Sequence, residues 1–131
     1  MRKISLFTFA LVFCAVSLVF FAFKPKNQQS WIRINLLGYQ PKAIKVAVWA
    51  SKGTEPPKSF ELIDKTTGKT VFTSNNIQTF GAYGPFATSA RLNFSEFKIP
   101  GNYYLKAEGA TSPEIIINEN VYKNTADFAL R

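Results

Sequence analysis

The sequence predicts an all-β protein built as an antiparallel β-sandwich, and three observations carry the prediction. Apolar and polar residues alternate with a period of two over short runs, as in Ile32, Arg33, Ile34, Asn35 and Leu36, and again from Lys45 to Trp49. Turns rich in Gly, Pro and Asn separate these runs, and no apolar period of helical length lies between them, which argues against βαβ units. Valine, isoleucine, threonine and phenylalanine dominate the alternating stretches, the residue types that fit a pleated, half-buried surface.

The chain opens with Arg2 and Lys3, an uncharged apolar run over residues 4–23, and a polar linker, KPKNQQS, over residues 24–30. A basic start before an apolar core is the outline of an export signal. The run is long for a signal core and long enough to cross a bilayer as a helix. Ala15-Val16-Ser17 is only a weak cleavage site, so residues 1–23 are expected to be a signal peptide or a membrane anchor. On either alternative the domain is exported, whether secreted, periplasmic or anchored facing outward, and meets a membrane only through residues 4–23. Cys14, the single cysteine, follows Phe13 where bacterial lipidation needs a small residue, and no thiol is left for a disulfide in the rest of the chain. A sandwich over residues 31–119 must hold by packing alone.

The first strand of that sandwich runs into WIRINLLGYQP at residues 31–41, where Gly38 can take a positive φ at the corner and Pro41 stops the ladder. Alternation then places Val46 and Val48 on one face and Lys45, Ala47 and Trp49 on the other. Pro56 and Pro57 mark a connection, Phe60 and Leu62 the next strand, and KTTGK at residues 65–69 a hairpin turn that returns through residues 70–73. Residues 78–89, QTFGAYGPFATS, are the least regular stretch, an aromatic loop carrying Phe80, Tyr83 and Phe86 ahead of a strand at residues 90–94. Pro100 and Gly101 ahead of Tyr103 predict a tyrosine corner, the phenol bonding back to the preceding connection. Residues 112–117 supply a last strand, with Pro113 tolerated near its start. From Asn120, placed as an N-cap, Val121, Tyr122, Thr125, Phe128 and Ala129 fall at helical spacing, so residues 120–131 are expected to begin a helix.

The formal charge is +8, and from Lys24 onward fourteen bases against eight acids leave +6. The bases are scattered singly, without the one-sided cluster of a nucleic-acid interface, so no nucleic-acid partner is expected. Lys42, Lys45, Lys58, Lys65 and Lys69 read as solvated strand faces and blunted edges. The acids, Glu55, Glu61, Asp64, Glu96, Glu108, Glu114, Glu119 and Asp127, are isolated along the chain, and there is no histidine. Glycoside hydrolysis needs paired carboxyl groups, and most general-base and metal chemistry needs histidine or thiol. No catalytic residue, cofactor or metal ligand is therefore assigned to this chain.

The 31–41 stretch resembles the opening of the immunoglobulin-like domain that precedes the catalytic domain in many family 9 glycoside hydrolases, the cellulase-type enzymes. That strand reads I-R-x-N-Q-x-G-Y-x-P, and Ile32, Arg33, Asn35, Gly38, Tyr39 and Pro41 fall on it, with Leu36 standing where the family usually has Gln. IPGNYYL at residues 99–105 and VYKNTADFALR at residues 121–131 continue the likeness. The resemblance implies an immunoglobulin-like sandwich in which Asn35, Gly38, Tyr39, Pro41, Pro100, Gly101 and Tyr103 form the structural motifs. It implies a non-catalytic accessory domain that packs against and stabilises a glycosidase catalytic domain in polysaccharide degradation, the full-length enzymes being O-glycosyl hydrolases. Residues 120–131 then correspond to the start of the first helix of that (α/α)-barrel, and the chain reads as a truncated product, a fragment or half of a split protein. Tyr83, Phe86, Tyr122 and Phe128 are the expected contacts with the catalytic domain or with sugar. Two alternatives stay open. One is a sugar-binding module in which Trp31, Trp49, Tyr39, Tyr83 or Phe86 stacks on pyranose rings; the other is a cell-surface adhesion domain of the same architecture.

Overall fold

The computed structural model describes residues 29–123 and residue 125. Nine strands follow in order: β1 (Ser30–Arg33), β2 (Val46–Ser51), β3 (Phe60–Asp64), β4 (Thr70–Ser74), β5 (Ile77–Phe80), β6 (Thr88–Asn93), β7 (Gly101–Ala107), β8 (Ala110–Thr111) and β9 (Ile115–Ile117). They form two antiparallel sheets, the first ordered β1-β2-β6-β5 and the second β4-β3-β7, with β8 and β9 both pairing β7 on the side away from β3. The chain crosses between sheets after β2, β4 and β6, so each sheet draws on both halves of the sequence.

Their inner faces share one core, with Ile32, Ala47, Trp49, Ala90 and Leu92 from the first sheet and Phe60, Leu62, Tyr103, Leu105, Ile115 and Ile117 from the second. Each large apolar side chain fully withdrawn from water contributes about 1.5–3 kcal/mol, and with no thiol among these strands this burial holds the sheets together. Alternation in β2 resolves in favour of the Ala47 and Trp49 face: Trp49 is fully buried, whereas Val48 is 47% exposed. Among the described residues the buried Trp49 indole N–H meets no acceptor. The Tyr39 and Phe94 rings meet edge-on at 5.3 Å, and Phe97 meets Phe72 tilted at 5.6 Å and Tyr103 edge-on at 5.0 Å.

Several elements depart from the sequence prediction. Residues 77–80 form the edge strand β5 where an aromatic loop is expected. Ile77 and Phe80 with Gln78 and Thr79 between them carry no strict alternation, so the strand is set by its ladder to β6 and not by its own pattern. The last strand, expected at residues 112–117, is shortened to β9 at Ile115–Ile117, and a further short strand, β8, precedes it on the same edge of β7. Between Lys106 and Tyr103 on β7 lie three steps, opposed by four from Thr111 to Ile115, a one-residue bulge. Pro113 has no N–H to give there, and Ser112 carries the pairing instead: its N–H donates to the Leu105 carbonyl at 2.8 Å, and its hydroxyl, in place of a ladder carbonyl, accepts from the Leu105 N–H at 2.9 Å. Glu108 and Gly109, both at positive φ, make the two-residue turn between β7 and β8.

Lys45 overturns its reading as a solvated lysine: it is fully buried, and its ammonium donates to the carbonyls of Pro41 at 2.6 Å and Ala43 at 3.0 Å. The connection from β1 folds over it and supplies those acceptors, which makes burial of the charge tolerable. Loss of water lowers its pKa, and the nearby Lys98 lowers it further. The apolar run at residues 4–23 lies outside the described residues, as do residues 124 and 126–131 of the helix expected at residues 120–131; of the rest, Asn120 to Lys123 are turn and Thr125 is helical. Among the described residues no helix is long and apolar enough to cross a membrane.

Candidate functional site

The strand that begins in one sheet finishes against the other, and the corner between them gathers most of the polar side-chain bonds near the end of β9. After β1 the chain leaves the first sheet, turns at residues 35–38, and at Tyr39 joins β9 of the second sheet through a parallel bridge to Ile117. Tyr39 N–H donates to the Ile116 carbonyl at 2.8 Å, and Asn118 N–H donates to the Tyr39 carbonyl at 3.0 Å. Asn35 closes the turn from within: its side-chain carbonyl accepts from Leu37 N–H at 3.1 Å, and its amide donates to the Gly38 carbonyl at 2.9 Å. This use of its own backbone neighbours is the reason Asn suits a turn.

Gly38 has a φ of +102°, and a Cβ there would stand 2.5 Å from the Ile116 carbonyl oxygen and 2.6 Å from Val121 Cγ2. Backbone on one side and a packed methyl on the other leave no room for a side chain. Tyr39 is buried, its hydroxyl donating to the Val46 carbonyl at 2.8 Å and accepting from Asn35 N–H at 3.0 Å. Burial raises the phenol pKa, partly offset by the bond from Asn35. Pro41, also buried, presents its carbonyl to Lys45.

The same corner holds the segment that follows β9. Tyr122 O–H donates to the Gly38 carbonyl at 2.8 Å and accepts from the Asn35 amide at 3.0 Å, and Gln40 donates to the Glu119 carbonyl at 3.1 Å. The outer rim is apolar and in water: Leu36 is 74% exposed and Leu37 53%. Sequence reasoning assigned no role to Gln40 or Glu119, because each is an unremarkable polar residue until the topology places residues 40 and 119 side by side.

Pro100, Gly101 and Tyr103 stand at the start of β7. The Tyr103 hydroxyl lies 3.2 Å from both the Ile99 and Pro100 carbonyls, and a Cβ on Gly101 would sit 2.6 Å from that oxygen. The ring packs edge-on to Phe97 at 5.0 Å, and burial followed by the nearby Asp64 charge raises the phenol pKa.

Tyr83 and Phe86 belong to a different region, the connection between β5 and β6, where their backbones exchange two hydrogen bonds across a tight turn. Tyr83 is 76% exposed, while Phe86 meets Trp31 edge-on at 5.5 Å. Among the described residues no hydrogen bond or ring contact joins this pair to Tyr122, and Phe128 lies outside them. Trp49 and Tyr39 are buried in the core and unavailable for stacking on a sugar.

The carboxylates serve local structure. Asp64 Oδ1 accepts from Thr66 N–H, Thr67 N–H and the Thr67 hydroxyl, and these bonds, that from Thr67 N–H foremost, hold its carboxyl below the usual range. Glu114 pairs with Lys65 at 2.7 Å. Among the described residues no three of His, Cys, Asp and Glu stand close enough to hold a metal ion. What the arrangement does chemically is fix backbone: it ties the strand that opens the sandwich to the segment that leaves it.

Comparison with known proteins points the same way. The family model described as cellulase N-terminal Ig-like domain matches residues 27–112. The xyloglucan-specific endo-beta-1,4-glucanase BoGH9A of Bacteroides ovatus is 36% identical over 100 residues, which cover 76% of this chain and 16% of that enzyme. Among solved structures, a Bacteroides ovatus GH9 protein superposes with a TM-score of 0.63 at 34% identity, covering 76% of this chain and 17% of its own. A thermostable endoglucanase of Alicyclobacillus acidocaldarius follows at 0.55 and 22% identity, over 71% and 16% of the two chains, a likeness of fold alone. The chain thus spans about a sixth of the length of the relatives it matches.

Proposed function

Because this chain belongs to the family of cellulase N-terminal Ig-like domains, we propose that it packs against a glycoside hydrolase catalytic domain and stabilises it during polysaccharide degradation. The observation that supports this reading best is the corner at residues 35–41, which grips the segment after β9 through Tyr122 and Gln40. A domain that follows β9 inherits a fixed direction, and Leu36, Leu37 and Ile116 beside the corner offer it exposed apolar surface. The basic pair Arg2 and Lys3 ahead of the apolar run at residues 4–23 supports an exported protein, outside the cell or in the periplasm.

The test is a transplant. This chain replaces the native N-terminal domain of the Bacteroides ovatus relative, and melting of the hybrid is compared with that of the catalytic domain alone. A higher melting temperature in the hybrid, lost when Tyr122 is changed to Ala, is the expected result. Equal melting with and without the domain overturns the reading.

A further inference from the structure

We propose that the outer face of the first sheet binds a polysaccharide bearing uronic acids, a role beyond packing against a catalytic domain and independent of it. Residues directly opposite on neighbouring antiparallel strands share a face. The register therefore lines up Trp31, Ala50, Ser89 and Phe80 across β1, β2, β6 and β5, and beside them Arg33, Val48, Arg91 and Gln78. The larger members of both rows face solvent: Trp31 is 38% exposed, Phe80 45% and Val48 47%. Between the two aromatics the floor is only Ala50 and Ser89, so a flat ligand can lie across the strands.

The face is prepared for a particular chemistry. Neither the four strands of this sheet nor the 81–87 connection contains an Asp or Glu, whereas the second sheet carries Glu61 and Asp64 in β3 alone. Arg91 is steadied over the Phe80 ring at 5.8 Å, and Trp31 is braced by Phe86. Aromatic rings take the apolar faces of pyranoses, and a guanidinium matches the two oxygens of a carboxylate in a planar fork. Aromatics and cations in adjoining rows, with no acid among them, suit a sugar chain that carries carboxylates. Three strand spacings make the rows about 14 Å wide, enough for a few sugar rings. A stable protein partner needs about 800 Å² on each side, well above what two such rows present.

The full chain is run through native gels holding polygalacturonate or neutral xyloglucan. Polygalacturonate is expected to retard it, and Trp31→Ala, Phe80→Ser, Arg33→Gln or Arg91→Gln each to weaken retardation about tenfold, the scale of one lost charge-assisted or stacking contact. The control Lys58→Gln/Lys69→Gln removes charge elsewhere and should stay within about twofold if bulk charge is not the cause. Phe80 lies on the edge strand, so Phe80→Ser keeps the test alive if Trp31→Ala unfolds. Equal weakening by the lysine control, equal retardation by xyloglucan, or wild-type retardation of all four face variants overturns the proposal. Should the face variants instead lower the melting temperature of the transplant hybrid while leaving retardation intact, the face is a protein interface; this proposal fails and the packing role stands.

Discussion

Two turns of this chain are alike in length and in where they start, and differ in how tightly they are held. The 35–41 corner and the 81–87 connection are each seven residues long, each holds Gly, Tyr and Pro, and each follows an edge strand of the first sheet. In the corner the side chains of Asn35, Tyr39 and Gln40 are all hydrogen-bonded, and a Cβ on Gly38 would strike backbone at 2.5 Å. In the connection a Cβ on Gly81 or Gly84 meets nothing within 4 Å, and Tyr83 stands in water. What separates them is topology. The corner carries the chain from one sheet to the other and must satisfy its backbone inside the junction, while the connection only returns the chain to its own sheet.

The largest expected effect breaks the comparison directly. Gly38→Ala forces a methyl into the Ile116 carbonyl at a φ that L-residues avoid, and should cost about 3 kcal/mol or more, enough to unfold a marginal domain. Gly81→Ala should change stability by less than about 0.5 kcal/mol. Urea unfolding of the two variants checks both; equal losses would mean that the corner is no more constrained than the loop. Next comes a matched pair of phenols. Tyr39→Phe leaves the Val46 carbonyl and the Asn35 N–H without their partner in a buried place, a loss of about 1–3 kcal/mol, while Tyr83→Phe should be silent.

How far the sequence disclosed this contrast follows from the kind of signal each residue carries. Strand alternation is local, so the strands around Val46 to Trp49 and Phe60 to Leu62 follow from the pattern along the chain, whereas the choice of Trp49 over Val48 for the core is made by the opposing sheet. Glycine before Tyr39 marks a turn, but nothing local says that the turn changes sheets; that information lies in Ile116 and Ile117, some eighty residues away. For the same reason Lys45 reads as a solvated lysine until Pro41 and Ala43 close over it. The strand β5 carries no local signal because its geometry is imposed by β6. Aromatic richness in residues 78–89 marks exposure at Tyr83 correctly but does not distinguish a ladder residue such as Phe80 from a turn residue such as Phe86.

A third turn sharpens the comparison at the smallest scale, because the β3–β4 hairpin is closed by polar bonds like the corner yet exposed like the connection. Its clasp is Asp64, whose carboxylate takes three hydrogen bonds from Thr66 and Thr67. Those bonds hold the native pKa below the ordinary 3.8, so the ionised form is favoured by folding. The sign follows: the contribution is present above 3.8 and disappears as pH falls through the lower native value. Asp64→Ala should lower the melting temperature by a few degrees at neutral pH, and its gap from the native chain should close on acidification through that window. Asp64→Asn keeps an oxygen acceptor and should lose less, with little dependence on pH across the same range. A gap for Asp64→Ala that persists unchanged well below the native pKa would show that the clasp works through shape and not charge, leaving the hairpin closer in kind to the corner than to the open connection.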